Sequence, residues 1–252
     1  MKSFIKTHIK TLLFFAAIGL IGGFFVGIYQ LDSYPDEITQ EIYAQGITKP
    51  ILGIVSAIQS AGLGIVLGGL GIFLGKEVGL WRGERSIAKK PLLIALALST
   101  ACGIIMILAD VLFFSHYSEA IADSYLTKPT VPYLIATVTY AAVIEEVLLR
   151  LFFMSLVAYL LYKIFEKGAE KPSTTIFIIA NVVAALLFSL GHLPTTFILL
   201  GNSPLIIFRC FLLNGGIGLT FGYLYRKYGL RYSMIAHGGC HIVSKLIWIL
   251  FI

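Results

Sequence analysis

Residues 132–162 read PYLIATVTYAAVIEEVLLRLFFMSLVAYLLY, and only three of these 31 residues are charged. A helix needs about 20 apolar residues to cross the hydrocarbon core of a bilayer, so this stretch is longer than one span requires. The whole chain has the same character: 58% of its 252 residues are hydrophobic, 13% are charged and the mean hydropathy is +0.91. Soluble domains carry about 25% charged residues. The composition therefore excludes an ordinary soluble globular enzyme and predicts a membrane protein.

Seven apolar runs of span length follow one another along the chain. They lie at 11–31, 49–75, 91–116, 132–162, 174–192, 204–225 and 231–252. We therefore expect an all-α fold, a polytopic transmembrane helical bundle of about seven spans, with residues 1–252 in a single transmembrane domain. Cys102, Cys210 and Cys240 stand inside apolar runs and predict buried thiols rather than a disulfide framework.

The basic residues are distributed unevenly between the two sides of the predicted bundle. Fourteen of the 19 Lys and Arg residues lie in the tails and loops of one side, and two, Lys49 and Lys128, lie on the other. The fourteen are Lys2, Lys6, Lys10, Lys76, Arg82, Arg85, Lys89, Lys90, Lys163, Lys167, Lys171, Arg226, Lys227 and Arg231. This asymmetry predicts a cytoplasmic N-terminus, and we expect an integral, multi-pass protein of a prokaryotic plasma membrane. No basic stripe interleaved with aromatic residues indicates binding of nucleic acid.

Ionisable side chains inside spans are costly, about 2.5–3.5 kcal/mol each on insertion scales, and so are functional candidates. Glu146 and Arg150 are four residues apart, share one helix face and can pair. Glu145 lies about 100° further round the helix, so it needs a different partner. The alternative is a structural Glu–Arg pair with a spare glutamate. Asp110, Arg209 and Lys245 lie nearer the outer boundary, where we expect structural or snorkelling roles.

Three histidines extend this set. His192 closes the segment Phe188-Ser-Leu-Gly-His192 at the end of the fifth run, just before Pro194, and His237 and His241 are four residues apart in the last run. Each alone has an ordinary structural explanation, but their depths coincide. Glu145 and His192 lie about 31 and 28 Å from the tip of their predicted hairpin, and His237 lies about 15 Å past Lys227. We therefore expect three helices to bring two carboxylates and up to three imidazoles to one level in the membrane.

Carboxylates and imidazoles in a membrane cavity are suited to activating water. A desolvated glutamate can act as a general base, and imidazoles can hold a metal, share the base role or donate hydrogen bonds to an oxyanion. Ser189 and Cys240 are the nearest small nucleophilic side chains, and packing explains them better. The pattern therefore favours direct attack by water on a peptide bond. The substrate would be a membrane-associated protein or peptide that arrives through the lipid bilayer.

The order of these motifs resembles a known family. Glu145-Glu146-x-x-x-Arg150, then Phe188-x-x-x-His192, then His237-x-x-x-His241 is similar to the three motifs of the CPBP family, the CAAX proteases and bacteriocin-processing enzymes, also called Abi. The resemblance begins near residue 130, so it implies N-terminal spans without motifs at 1–130 and a catalytic core at 131–252. It implies an intramembrane endopeptidase, described either as a metalloprotease or as a metal-free, glutamate-based enzyme.

The resemblance also implies roles for the individual residues. Glu145 is expected to activate water with the help of His192, Glu146 to be held by Arg150, and His237 to stabilise the oxyanion or bind metal. The family motif usually ends in Asn or Asp, whereas this chain has His241. That change adds a zinc ligand, so His192, His237 and His241 with Glu145 or Glu146 could form a tetrahedral site for a divalent metal such as Zn²⁺. A mechanism without a metal stays open.

Two other functions are compatible with the sequence. A non-catalytic membrane immunity or scaffold protein could keep the protease fold and bind another membrane protein. An ion-coupled carrier could use intramembrane acids and histidines as a proton relay. Carriers of that kind are commonly built from inverted repeats, whereas the polar residues here crowd into the second half of the chain, which favours the endopeptidase.

Overall fold

The structure is a computed structural model that describes residues 2–83 and 86–252, without the side chain of Lys2. Arg85 and the Lys2 side chain, both counted in the charge asymmetry, therefore lie outside the described residues. The α-helices are α1 Lys2–Ser33, α2 Asp36–Ala44, α3 Lys49–Glu77, α4 Lys89–Leu112, α5 Glu119–Ser124, α6 Val131–Ala136, α7 Ser155–Phe165, α8 Thr174–Leu200, α9 Pro204–Cys210, α10 Ile217–Tyr228 and α11 Leu230–Phe251. A 3₁₀ turn covers Phe114–His116, and π-helical segments cover Thr137–Glu145, Val147–Met154 and Phe211–Gly216.

Within that part of the chain, seven helices are long and apolar enough to cross a membrane. They are Ser3–Ser33, Lys49–Glu77, Lys89–His116, Val131–Phe165, Thr174–Leu200, Pro204–Tyr228 and Leu230–Phe251, numbered here as the first to seventh spans. These helices confirm the predicted all-α bundle of seven spans. The prediction was possible because hydropathy and run length are local properties of the sequence. The cytoplasmic N-terminus stays a prediction.

The fifth span is longer than the sequence indicated. We expected it to end at His192, because Pro194 follows, but α8 continues to Leu200 with Pro194 inside it. Proline removes only one backbone hydrogen bond, and the apolar residues beyond it extend the helix. The helix ends instead at Gly201, whose φ of 84° suits glycine. His192 therefore lies inside a helix rather than at its end.

The fourth span is the centre of the bundle. It packs against α1, α3, α8, α10 and α11, and its fully buried Val147, Leu151 and Met154 belong to the largest hydrophobic cluster. A Cβ atom on Gly71 of α3 would approach backbone atoms of Leu151 to 2.8 Å, so glycine allows α3 to lie directly against this span. Such small residues let transmembrane helices approach closely.

The fourth span is also irregular. It begins as α6, passes through the π-helical segments Thr137–Glu145 and Val147–Met154, and ends as α7. We expected a regular α-helix through this run. In π-helical turns, hydrogen bonds run from residue i to residue i+5, and such turns are frequent at functional sites. Here the two segments meet at Glu146, so the irregular backbone carries both motif carboxylates.

Most of the predicted basic loops lie at one end of the bundle, which we call the basic end. It contains residues 78–83 and 86–88 of the connection after α3, and the connections at 166–173 and 229. Arg82 donates hydrogen bonds to the carbonyl oxygens of Arg226 and Lys227, both at 2.8 Å. Arg226 in turn donates to Thr174 Oγ1 at 2.8 Å. These contacts show that loops predicted to share one side of the membrane do lie together.

Candidate active site

Glu146 is a fully buried carboxylate with a complete set of partners. Its Oε1 atom lies 2.9 Å from His237 Nδ1 and 3.1 Å from Arg150 Nη1, and its Oε2 atom accepts a hydrogen bond from Ser233 Oγ. The pairing with Arg150 is the one that the four-residue spacing predicted. A buried ion is tolerated only when it is paired and hydrogen-bonded. Both oxygens of Glu146 are therefore occupied by partners, and the carboxylate is suited to holding the His237 and Arg150 side chains in place.

Arg150 is held on several sides. Its Nη2 atom donates to the carbonyl oxygen of Gly218 at 2.9 Å. Its guanidinium carbon lies 4.9 Å from the ring centre of Phe188 and 5.6 Å from that of Phe221, within the range of cation–π attraction. A Cβ atom on Gly218 would come within 2.9 Å of Nη2. The small residue and the two aromatic rings thus shape a pocket for the guanidinium.

Glu145 is the opposite case. Its side chain is 16% exposed, and no hydrogen bond to it is found among the described residues. Oε1 lies 4.0 Å from His192 Nε2, and Oε2 lies 3.9 Å from His237 Nε2. These distances exceed those of a direct hydrogen bond, and a gap of this kind can be bridged by a small polar molecule. Three helices bring these three side chains together, as the depth argument predicted.

The partners of the two imidazoles determine which nitrogen carries the proton. His192 Nδ1 lies 2.9 Å from the carbonyl oxygen of Phe188, and His237 Nδ1 lies 2.9 Å from Glu146 Oε1. Both of these oxygens only accept hydrogen bonds, so Nδ1 must be the donor in each ring. A neutral ring then presents an unprotonated Nε2 atom. Two nitrogen lone pairs and the Glu145 carboxylate therefore face one region, and the species that satisfies them is a donor such as water.

His241 lies one helical turn beyond His237. The two rings stack with centres 5.1 Å apart, and His241 Nδ1 is buried without a hydrogen-bond partner in the described part of the chain. The imidazole donors and the carboxylates match the ligand types of Zn²⁺. However, no three His, Cys, Asp or Glu residues among those described meet the geometry of a metal site. The metal set of His192, His237, His241 and a glutamate therefore stays a prediction.

Two contacts of the site were missed from the sequence. Ser233 reaches Glu146 from α11, and the ring of Phe221 in α10 stacks on His237 with centres 4.5 Å apart. Ser233 precedes His237 by four residues, the same spacing that separates His237 from His241, so the helix face could have indicated it. Nothing in the sequence pattern singles out Phe221 from the other phenylalanines.

A second ionic cluster lies at the end of the bundle opposite the basic end. Asp110 of α4 accepts hydrogen bonds from Arg209 of α9, through Nε at 2.5 Å and through Nη2, and from the hydroxyl of Tyr125 at 2.9 Å. Burial, followed by the nearby Asp110 charge, raises the pKa of Tyr125, so this hydroxyl stays protonated as the donor. Arg209 is thus a paired residue rather than one that snorkels to the surface.

Lys245 has the structural role of the two that we expected, because its side chain is packed and does not snorkel. It is only 9% exposed, and its Nζ atom lies 4.9 Å from the ring centre of Tyr133. The seventh span turns this side chain toward the fourth span instead of toward lipid. A cation over an aromatic face is an alternative to hydration for a buried ammonium group.

The comparison with protein families identifies the second half of the chain. Residues 127–243 match the family described as type II CAAX prenyl endopeptidase Rce1-like. The match covers 117 of the 252 residues, so it shows that this part of the chain is similar to the Rce1-like family. The match confirms the predicted resemblance to CPBP proteins, and the Rce1-like segment includes every motif residue from Glu145 to His241. It begins just before the fourth span, so the first three spans lie outside it. Comparisons with curated proteins and with solved structures find no match.

Proposed function

We propose that this Rce1-like protein is an intramembrane endopeptidase in which Glu145 activates water against a peptide bond. One observation carries the proposal. Of the two motif carboxylates, only Glu145 has no direct partner among the described residues, and it faces two imidazole Nε2 atoms at 3.9 and 4.0 Å. A water molecule between these groups can donate one hydrogen to the carboxylate and the other to an imidazole. General base catalysis requires this arrangement.

The reaction follows from these positions. Glu145 takes a proton from the water while the water oxygen bonds to the carbonyl carbon, and the carbonyl π electrons move to its oxygen. When this tetrahedral species collapses, the C–N bond breaks. Glu145 returns the proton to the leaving nitrogen. His192, fixed by the carbonyl oxygen of Phe188 at 2.9 Å, orients the water throughout.

His237 is proposed to stabilise the oxyanion. Its Nδ1 atom is held by Glu146 at 2.9 Å, and a carboxylate at this position stabilises positive charge on the ring, as the aspartate of a Ser-His-Asp triad does. A proton taken up from solvent at Nε2 before the attack turns this atom from an acceptor into a donor that can bind the developing negative charge. His192 keeps the neutral ring that accepts the second hydrogen of the water. Glu146 and Arg150 then act by positioning His237, and they do not touch the substrate.

The substrate class follows from the location of the site. His237 is seven residues into α11 from the basic end, a rise of about 10 Å, so the scissile bond must enter the membrane region. The family description names prenyl endopeptidases, and a prenylated C-terminal CAAX peptide is therefore the first substrate to test. A leader peptide and a bacteriocin precursor are tested beside it.

The test compares new peptide N-termini in membranes from cells that carry either the wild-type chain or Glu145→Gln at matched levels. Cleavage by the purified protein follows for each candidate substrate. The expected loss for Glu145→Gln is about 10²–10⁴-fold, the usual contribution of a general base. The matched control is Glu77→Gln, the same change at an exposed carboxylate, which should leave cleavage unchanged. Normal cleavage by Glu145→Gln overturns the proposal that Glu145 is the base, whereas absence of cleavage by the wild-type chain itself favours the immunity or scaffold function.

A further inference from the structure

A cavity of about 880 Å³ opens at the basic end, away from the motif residues. Its walls come from α1, residues 80–83 and 86–88, the first π-helical segment of the fourth span, and α11. On α11 the cavity is lined by Gly238 and Gly239 rather than by His237 or His241. The cavity therefore lies on a different face of the seventh span from the candidate active site, and none of the proposed chemistry uses it.

The depth of this cleft matches one leaflet of a bilayer. Its lining on α11 runs from Leu230 at the basic end to Ile242, which is 12 residues and about 18 Å of helix rise. The hydrocarbon core of a bilayer is about 30 Å thick, so one leaflet is roughly half of that depth. A cleft that begins at the membrane surface and ends near the midplane has the length of a lipid chain.

The chemistry of the cleft changes along that depth. Lys10, Arg82 and Arg231 line its mouth, and no Asp or Glu is found among the described residues that line it. Further in, the walls are apolar, with Phe15, Val138 and Ile242 among them. Cations at the surface and hydrocarbon below are complementary to an amphiphile with an anionic head.

Arg82 is positioned before any ligand arrives. Its Nη1 and Nη2 atoms donate to the carbonyl oxygens of Lys227 and Arg226, both at 2.8 Å, at the end of α10. These bonds hold the guanidinium at the mouth of the cleft, and a guanidinium is well suited to bind a phosphate.

We propose that this cleft binds one anionic phospholipid of the leaflet at the basic end. The phosphate lies among Lys10, Arg82 and Arg231, and one acyl chain follows Phe15 and Val138 inward. Basic pockets between transmembrane helices are known sites for anionic headgroups. The chain would also pack against Ala142, three residues before Glu145, and so would support the π-helical segment that carries the proposed base.

The experiment measures binding of phosphatidylglycerol and of phosphatidylcholine with identical acyl chains to the full-length protein in detergent, by native mass spectrometry. The Glu145→Gln variant is used throughout, so the result does not depend on proteolysis. Phosphatidylglycerol should bind at least about tenfold more tightly than phosphatidylcholine, a difference of about 1.4 kcal/mol in binding free energy. The double variant Lys10→Gln/Arg82→Gln should abolish this preference. Equal binding of the two lipids by the parent protein overturns the proposal.

A matched control removes the same number of charges at the same end of the bundle. Lys89 and Lys90 line a separate, shallow surface with Leu93, Ile94 and Ala97. Lys89→Gln/Lys90→Gln should keep the preference for phosphatidylglycerol, and a loss equal to that of the cleft variant overturns the proposal. Because Arg82 also joins two connections, Lys10→Gln alone is measured as well, and it should weaken binding by a smaller factor while leaving Tm unchanged.

The inner part of the cleft is tested separately. Val138 is 40% exposed and lines the cavity, so Val138→Trp should fill the inner end and displace the lipid while the cations remain. Inorganic phosphate should not displace the lipid, since phosphate lacks an acyl chain.

Two outcomes would overturn the proposal. If phosphate competes fully and Val138→Trp has no effect on lipid binding, the cleft is a site for a free anion. If Val138→Trp blocks peptide cleavage in the active chain without changing lipid binding, the occupant is the substrate and the proposal is likewise overturned.

Discussion

The two ionic clusters of this bundle each contain a buried carboxylate paired with an arginine, but only one of them lies beside a carboxylate without a direct partner among the described residues. At the end opposite the basic end, Asp110 is surrounded by Arg209 and Tyr125. In the candidate active site, Glu146 is surrounded by Arg150 together with Ser233 and His237. Both carboxylates are buried and ion-paired, and each of their oxygens takes part in a hydrogen bond.

The difference is the neighbouring residue. Beside Glu146 stands Glu145, which shares the span but has no direct partner among the described residues. A carboxylate whose oxygens already have hydrogen-bond partners stabilises the fold. A carboxylate without such partners can accept a proton from a substrate or from water. The lack of direct partners, together with partial exposure, therefore distinguishes the candidate base. Substitutions in the two clusters test that distinction on stability and activity together.

The largest loss of stability is expected for Glu146→Gln. The change leaves the Arg150 guanidinium, which is 1% exposed, without a counter-charge, and breaking a buried pair in this way costs about 3–5 kcal/mol. Thermal unfolding in a fixed detergent measures the effect as a lower Tm. Activity should fall as well, since His237 loses the carboxylate that orients it. An unchanged Tm would show that Glu146 is not a structural anchor.

A smaller loss is expected for Asp110→Asn. The Arg209 side chain is 18% exposed, so water can compensate part of its lost charge pairing, and we expect about 2–3 kcal/mol, below the range for fully buried pairs. The folded fraction should keep its kcat, because this cluster is at the opposite end from the motifs. Cleavage per folded molecule checks this, and a large drop in kcat would argue against a purely structural cluster.

Ser233→Ala should have a moderate effect. It removes one hydrogen bond to a charged, buried oxygen of Glu146, and bonds of this class contribute about 1.5–3 kcal/mol. Because Glu146 keeps Arg150 and His237, the protein should stay folded, with a lower Tm and a modest fall in kcat. Ser233→Thr restores the hydroxyl and should recover part of both. Failure of this variant to recover either quantity would mean that the hydroxyl is not the important group.

The smallest loss of stability is expected for Glu145→Gln, although its effect on cleavage is the largest. In the described part of the chain, the carboxylate has no partner closer than 3.9 Å. Replacing it therefore removes no direct interaction, and the unfolding temperature should stay the same or rise. Active-site residues often trade stability for function in this manner. A Tm loss as large as that of Glu146→Gln would mean that both carboxylates are structural, and the comparison between them would fail.

Much of the fold and part of the site could be predicted from the sequence, because the physical signals are local. Hydropathy and run length indicate the seven spans, and a four-residue spacing places Glu146 and Arg150 on one helix face. The rise per residue brings Glu145, His192 and His237 to one depth. Each of these arguments needs only the geometry of a single helix or the thickness of the bilayer.

The tertiary structure alone decided which groups are satisfied. Whether Glu145 or Glu146 receives Ser233 and His237 depends on how α11 faces the fourth span, and the guanidinium pocket depends on Gly218, Phe188 and Phe221 from other helices. The π-helical backbone of the fourth span and the inward orientation of Lys245 also depend on how the helices pack against one another. Contacts between helices are not periodic in the sequence, so no spacing rule predicts them.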